Sequence, residues 1–286
     1  MSAPAYDLRL PVRRTTSAIF SSPHSGRAYP GAFLKSTVLD ERTIRTSEDA
    51  FVDQLLAAVP RLGAPLLSAI APRAYIDLNR APDELDPALV EGGRAPAHKP
   101  RVASGLGVIP RVVAGGKAIY RGKITRAEAE ARLANWWHPY HARLSSLVDQ
   151  TRAEFGEAIL VDFHSMPHEA IDSIAGPGVR RPDIVVGDRF GAAADSEVVD
   201  RIEAAFEGAG LRVLRNAPFA GAYIAQTYGR PARGQHAVQI EVDRALYMNE
   251  SEIRPNGNFL GFRRLLDGVL AEIAEIGRRS FRVAAE

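Results

Sequence analysis

Short apolar runs alternate with longer amphipathic segments along most of this 286-residue chain. Apolar runs of about four to eight residues are typical of buried strands, and an apolar spacing of about 3.6 residues is typical of helices. Because alternating strands and helices pack well as a mostly parallel sheet between two layers of helices, we expect an α/β fold. The length is close to the upper limit for one hydrophobic core, so we expect residues 1–286 to form a single domain.

The expected elements follow from apolar spacing, capping residues and helix breakers. Strands are predicted at 16–21, 64–71, 158–163, 183–187, 211–214 and 237–242, with a partly alternating, strand-like run at 73–80. Helices are predicted at 47–59 with Ser47 as the N-cap, at 125–155 with an interruption at Pro139, at 195–210 and at 259–278. Residues 82–122 are rich in Gly, Pro and Arg, so we expect long functional loops there.

The composition excludes several classes of function. The chain has no cysteine, so disulfides, thiolate nucleophiles and iron–sulfur clusters are excluded, and a metal site must be built from His, Asp and Glu. Thirty-six Lys and Arg residues against 34 Asp and Glu give a net charge of +2, too balanced for a dedicated nucleic-acid binder. No segment has the about 20 apolar residues of a membrane span, and no apolar leader is present, so we expect a cytoplasmic protein without membrane or nucleic-acid partners.

Two histidines follow predicted strands, where open α/β sheets bind their ligands. His24 lies in a loop after the first strand, and His164 comes directly after the apolar run AILVDF. With Glu48 or Asp49 they supply two imidazoles and a carboxylate, the ligand set of a hydrolytic zinc site. The residues are far apart in sequence, so their spacing alone is weak evidence, and each histidine fits an ordinary polar position at a loop edge equally well.

Glu241 lies in a run where apolar and polar residues alternate, so it faces the opposite way from Ile240. Burial of an acid on an otherwise apolar strand disfavours its charged form, and this raises its pKa toward that of a general base. A half-exposed strand explains the same alternation equally well.

Asn79 and Arg80 end the strand-like run at 73–80, and a guanidinium beside an amide suits binding of a substrate carboxylate. The alternative is a surface salt bridge from Arg80 to an acid within 83–86. His138 and His141 are three residues apart around Pro139, and we favour a packing or supporting role for both.

Six short motifs occur in a fixed order: SPHSG at 22–26, SEDAFVD at 47–53, IDLNR at 76–80, DFHS at 162–165, GAYI at 221–224 and QHAVQIEV at 235–242. Through these motifs the chain resembles the N-formylglutamate amidohydrolase family from about residue 21 to residue 248. That family is similar to the zinc carboxypeptidases and aspartoacylases. The resemblance implies a mixed, mostly parallel sheet flanked by helices, in a phosphorylase/hydrolase-like arrangement, with one zinc ion per chain.

The resemblance also implies roles for individual residues. They are His24 and His164 as zinc ligands, Glu241 as the general base, Asn79 and Arg80 as the pair that holds the substrate α-carboxylate, and Tyr223 as a tyrosine on the substrate side. The wider superfamily takes its carboxylate ligand from a His-x-x-Glu motif, which this chain lacks because Ser25, Gly26 and Arg27 follow His24. Asp49 is the expected replacement, with Glu48 as the alternative.

The implied reaction is hydrolysis of N-formyl-L-glutamate to formate and glutamate, as the last step of histidine degradation. Zinc would activate a water molecule, and Glu241 would pass the water proton to the departing amine. A substrate with two carboxylates needs a second cation besides Arg80, and the candidates are Arg73, Arg101, Arg121, Arg181, Arg230 and Arg233.

Two other readings of the chain stay open. One is a hydrolase for another N-acyl amino acid, and the other is a non-catalytic ligand-binding protein on the same fold.

Overall fold

The computed structural model describes residues 4–92, 99–172 and 181–278, and a mixed sheet forms its centre. The strands of this sheet are β1 Tyr6–Arg9, β2 Ala18–Ser22, β3 Leu66–Ala69, β4 Ala158–Met166, β5 Ile184–Gly187, β6 Val213–Arg215 and β7 Gln235–Asp243. A separate two-stranded ribbon consists of β8 Met248–Asn249 and β9 Arg254–Pro255.

The strand order across the large sheet is β1-β3-β2-β4-β7-β5-β6. The pairs β2–β3, β2–β4, β4–β7 and β5–β6 are parallel. The pairs β1–β3 and β5–β7 are antiparallel. The expected mixed, mostly parallel sheet is therefore confirmed.

Helices cover both faces of this sheet. In the described residues they are α1 Gly31–Ser36, α2 Glu41–Ile44, α3 Val52–Leu55, α4 Pro100–Ala103, α5 Arg126–Arg132, α6 His138–Phe155, α7 Ser196–Gly208, α8 Tyr223–Tyr228 and α9 Phe259–Ile276. Ile159 and Val161 of β4 pack in one apolar core with α3, α7 and α9, whereas Leu160 packs in a second core with α5, α6 and α8. Burial of each such side chain stabilises the fold by about 1.5–3 kcal/mol.

The second core becomes polar toward the carboxyl end of β4. Ala158 and Leu160 face α6, and the next residues on the same face are Asp162 and His164, all of them buried. The sheet face under α6 therefore changes from an apolar core into a polar site within one strand.

Residues 73–80 do not form the strand that their partial alternation predicts. They form turns, since the N–H groups of Tyr75 and Ile76 both donate to the Pro72 carbonyl, at 2.9 and 3.2 Å. Conversely, β1 was not expected, because its side chains are only partly buried and carry little apolar signal.

The prediction of a helix at 47–59 with Ser47 as its N-cap is wrong. Ser47 closes a 3₁₀ turn, and α3 is only one turn long. Phe51 has φ 68°, in the left-handed region, and this residue prevents a continuous helix through 49–55. The Asp49 N–H donates to the His24 carbonyl at 3.0 Å, a long-range hydrogen bond that local capping rules do not foresee.

The interrupted helix at 125–155 is confirmed, with its break ahead of Pro139. Thr125 caps α5, because its hydroxyl accepts from the Glu128 N–H at 3.1 Å. A π turn, Leu133–Trp137, connects α5 to α6. Pro139 occupies the first turn of α6, where its missing N–H costs no helical hydrogen bond.

None of the helices in the described ranges combines the length and the apolar composition that a membrane span requires.

Gly26 lies where the chain after β2 passes very close to the segment that follows β3. A Cβ atom on Gly26 would stand 2.1 Å from the Ala71 carbonyl oxygen. We expect Gly26→Ala to lower the free energy of unfolding by about 1–3 kcal/mol, because backbone must move to relieve the clash. Gly31→Ala is the control, since a Cβ on Gly31 meets nothing within 4 Å. Urea unfolding of both variants measures the difference, and equal stabilities would show that this close approach is absent.

Candidate active site

Three side chains from distant parts of the chain converge at the carboxyl end of the sheet. His24 follows β2 by two residues, Asp49 lies before α3, and His164 lies on β4. Their potential ligand atoms all lie within 4.8 Å of one another, and all three residues are buried. His164 Nδ1 is 3.1 Å from His24 Nδ1 and 3.0 Å from Asp49 Oδ2. Two imidazole nitrogens and one carboxylate oxygen therefore face a common point.

The far nitrogen of each imidazole is held by its own buried carboxylate. His24 Nε2 lies 2.7 Å from Asp77 Oδ1, and His164 Nε2 lies 2.8 Å from Asp162 Oδ2. Such carboxylates orient histidine ligands and make the imidazole a stronger electron donor. Asp162 is in turn fixed by Ser21, whose hydroxyl donates to Asp162 Oδ1 at 2.5 Å. The arrangement holds both rings with their Nδ1 atoms toward the common point.

Asp49 is held as a carboxylate. Burial alone would raise its pKa, but hydrogen bonds from His164 and His24 outweigh burial and keep the pKa well below its ordinary value. Arg244 Nη2 also donates to Asp49 Oδ1, at 3.1 Å, and this leaves Oδ2 facing the histidines.

Glu48, the alternative carboxylate from the sequence, is turned away from this cluster. Its Oε1 accepts from the Tyr29 hydroxyl at 2.7 Å and from Arg45 Nε at 3.0 Å. The structure thus brings Asp49, and not Glu48, to the two histidines.

This donor set fits a metal ion. Once the two imidazoles have given up their extra protons, two nitrogens and one charged oxygen match the three protein ligands of hydrolytic zinc centres, in which further positions stay available to water or substrate. The buried cluster is therefore a candidate metal site formed by His24, Asp49 and His164.

Glu241 lies beside this cluster, on the strand next to His164. Residues His164 of β4 and Glu241 of β7 are directly paired in the parallel register. Burial raises the pKa of Glu241 to about 7, the Asp49 charge adds to the increase, and the positive charges of His164 and Arg73 oppose it. Among the described residues, only Gln239 hydrogen-bonds to this carboxylate, from Nε2 to Oε1 at 2.9 Å. The other oxygen is available to water.

The cluster and Glu241 line one wall of a cavity of about 470 Å³. Four arginines also line it: Arg73, Arg80, Arg101 and Arg244. The other arginines proposed from the sequence for a second substrate carboxylate do not belong to the described cavity wall; they are Arg121, Arg181, Arg230 and Arg233. Arg181 instead pairs with Asp172.

Asn79 and Arg80 both reach the cavity, but they differ in what they contact. Asn79 Oδ1 accepts from the Ile224 N–H at 2.8 Å, and its Nδ2 lies 3.1 Å from His164 Nε2 and 3.3 Å from Gln239 Oε1. Asn79 therefore connects β4, β7 and α8. The Arg80 guanidinium donates only to peptide carbonyls in the described structure, those of Leu106 and Asn79.

Tyr223, for which the family resemblance implies a place on the substrate side, is not among the residues that line the described cavity. Its ring packs 5.7 Å from the Trp137 ring and 5.3 Å from the His141 ring, measured between centroids. The preceding residues, Phe219 to Ala222, line the cavity instead, because Tyr223 begins α8 and turns into the second core.

Comparison with known proteins agrees with this geometry. The sequence profile of the family described as N-formylglutamate amidohydrolase matches residues 16–248. This chain belongs to that family. It is 31% identical to the N-formylglutamate deformylase of Pseudomonas aeruginosa over 236 aligned residues. The alignment covers 81% of this chain and 82% of the relative. It is 29% identical to the enzyme of the same name from Pseudomonas putida over 238 aligned residues, and this alignment covers 82% of each chain.

A solved member of the N-formylglutamate amidohydrolase family has the same architecture. The crystal structure of N-formylglutamate amidohydrolase from Ralstonia eutropha JMP134 matches with a TM-score of 0.89 and 36% identity, covering 96% of this chain and 99% of that chain. The fold described above is thus that of the family along nearly the whole chain.

The sequence reasoning missed several residues of the site in this family member. Asp162 carried a usable signal, because it lies two residues before His164 and so on the same strand face. Arg244 and Asp77 carried no such signal for their contacts to the cluster, since Asp49 and His24 lie far from them in sequence.

Weakening the carboxylates behind the histidines should weaken metal binding. We expect Asp77→Asn and Asp162→Asn each to reduce zinc affinity by about 10–100-fold, because the amide polarises the imidazole less than a carboxylate does. Competition with a chromophoric chelator measures the affinity, and Asp7→Asn on β1 is the control. Unchanged affinity in both site variants would contradict the metal-binding role of the histidine pair.

His141 supports the site from α6 as a neutral imidazole. Its Nε2 donates to the Leu78 carbonyl at 2.8 Å, and burial lowers its pKa to about 4. Because the unfolded chain has a histidine pKa of about 6.5, the stability from neutral His141 is fully present above that pH and is lost as the pH falls toward 4.

We therefore expect the stability difference between the native protein and His141→Gln to shrink by about 2 kcal/mol from pH 7.5 to pH 5. Urea unfolding at both pH values measures it. A difference that is independent of pH would show that His141 keeps an ordinary pKa in the folded protein.

Proposed function

We propose that this chain is a zinc-dependent hydrolase that cleaves N-formyl-L-glutamate to formate and L-glutamate. The observation that carries the proposal is the convergence of His24, Asp49 and His164 beside the buried carboxylate of Glu241. The relatives from two Pseudomonas species are N-formylglutamate deformylases, and this supports the same substrate.

His24, Asp49 and His164 would hold the metal. Zinc held there would supply Lewis acidity, which polarises a carbonyl oxygen and lowers the pKa of water toward about 7. Asp77 and Asp162 keep both imidazoles oriented for this task, through their contacts to the far ring nitrogens.

Glu241 moves the proton of the reaction. Its free carboxylate oxygen receives a proton from the attacking water, and the same group returns that proton to the amide nitrogen as the C–N bond breaks. A pKa near 7 suits both halves of this transfer, since the group is neither too weak a base nor too weak an acid. Gln239 holds the other oxygen and fixes the orientation of the carboxylate.

Arg80 binds the α-carboxylate of the substrate. It is buried and lies next to Asn79, which contacts His164, so an anion at Arg80 is held near the metal cluster. In an N-formyl amino acid the α-carboxylate is close to the scissile amide, and this binding places the formyl group toward the metal ligands.

We further propose that the reaction is the last step of histidine degradation, with a small N-acyl acidic amino acid as the partner.

Metal content and formate release should be measured on one purified sample. We expect about one zinc ion per chain and formate release from N-formyl-L-glutamate that is lost on chelation and restored by zinc. Formate release that resists chelation would contradict the zinc dependence. Bound zinc without formate release would contradict this substrate and favour another N-acyl amino acid, while neither metal nor turnover would favour a ligand-binding protein.

Glu241→Gln separates proton transfer from metal binding. We expect formate release to fall by about 10²–10⁴-fold with zinc still bound, because glutamine cannot accept the water proton and Glu241 is not one of the three ligands. Turnover and zinc content of the same preparation check this expectation. Normal turnover would refute the general-base role, and loss of zinc would assign Glu241 to the metal instead.

A further inference from the structure

The four arginines of the cavity wall form two groups, two with an acidic partner and two without one among the described residues. Arg73 and Arg244 are neutralised by acids of the site itself, since Arg73 Nε lies 3.0 Å from Asp77 Oδ2 and Arg244 Nη2 lies 3.1 Å from Asp49 Oδ1. Arg80 and Arg101 have no carboxylate within 4 Å among the residues that the structure describes. The cavity therefore presents two cations that form no direct ion pair with the described residues.

The acids within 83–86, which the sequence offered as salt-bridge partners of Arg80, are paired with other residues. Lys99 Nζ lies 2.9 Å from Asp83 Oδ2 and 3.7 Å from Glu84 Oε1. Arg111 Nε lies 2.8 Å from Asp86 Oδ2. The salt bridge from Arg80 to this acidic segment, which the sequence left open, is therefore not formed. Lys99 and Arg111 neutralise the acids of this segment, and Arg80 and Arg101 line the cavity without a partner from it.

The two free cations are close enough to influence each other. Burial is the main cause that lowers the pKa of Arg80, the charge of Asp77 opposes it, and the like charges of Arg73 and then Arg101 add to the decrease. Two neighbouring positive charges in a partly buried cavity repel each other, and a ligand with two negative charges removes that repulsion.

The positions of Arg80 and Arg101 also assign one substrate carboxylate to each of the two arginines. Arg80 is buried and next to the metal cluster, whereas Arg101 on α4 is exposed and so lies toward the opening of the cavity. The α-carboxylate of an N-formyl amino acid lies close to the scissile amide, and a side-chain carboxylate extends away from it.

We infer that Arg101 binds the distal carboxylate of the substrate and is the residue that selects acidic N-acyl amino acids. This inference rests on the proposed function, with Arg80 binding the α-carboxylate. Arg101 is thus a specificity residue, since it contacts the part of the substrate that does not react.

The test compares N-formyl-L-glutamate with N-formyl-L-glutamine, which has the same shape and lacks the distal charge. We expect Arg101→Gln to lower kcat/KM for N-formyl-L-glutamate by about 10–100-fold, mainly through KM, and to change it less than about 3-fold for N-formyl-L-glutamine. Arg101→Lys should recover part of the loss. Arg126→Gln is the control, because Arg126 pairs with Glu130 on α5 and does not belong to the described cavity wall.

An equal loss for both substrates, or no loss for either, would overturn the inference. A binding measurement separates this failure from failure of the proposed reaction. Calorimetric titration of zinc-loaded Glu241→Gln and of the double variant with Arg101→Gln reports the affinity for both compounds without turnover. Selective loss of N-formyl-L-glutamate affinity supports the role of Arg101 even if the native protein releases no formate, and unchanged affinity overturns it.

Discussion

The parallel pairing of β4 with β7 determines where the polar groups of the cavity stand. The two strands pair along nine residues each, and their side chains alternate between the two cores. In this register Asp162 is paired with Gln239, and His164 with Glu241, all on the face toward α6. A slip of either strand by one residue would turn its two polar groups into the apolar core, so the burial of the opposite face fixes the geometry of the site.

Buried charge in this site is compensated almost residue by residue. Asp77 contacts both His24 and Arg73, and Asp49 contacts His24, His164 and Arg244. Isolated charges at such depth would cost several kcal/mol each, whereas paired and hydrogen-bonded ones are tolerated. The same contacts that satisfy the charges also orient the ligand atoms, so stability and preorganisation of the site have a common origin.

The sequence predicted the parts of the fold that depend on local pattern. The apolar runs predicted six strands of the sheet. Five of them are almost wholly buried and so leave a clear apolar signal: β2, β3, β4, β5 and β7. β6 and β1 are only partly buried, and of these two only β6 was predicted. Alternation predicted the direction of Glu241, which the structure confirms. The helix expected at 47–59 failed because the Asp49 main chain and side chain are both bound to groups distant in sequence.

The choice between Glu48 and Asp49 likewise depended on tertiary partners. Tyr29 and Arg45 engage Glu48, and neither contact is visible in a local pattern. Arg244 reaches Asp49 across 195 residues of sequence, which is why no motif pointed to it.

Side chains of the π turn and of α6 hold the main chain of the loop that carries Arg80 through two hydrogen bonds. Trp137 Nε1, at the end of the π turn, donates to the Arg80 carbonyl at 2.9 Å, and His141 Nε2 donates to the Leu78 carbonyl. Peptide carbonyls are present whatever side chains the loop bears, so the helix holds the path of the loop and not its residue types. The side chain at position 80, and with it the charge that the cavity presents there, can therefore be exchanged while the scaffold around the candidate metal site stays in place.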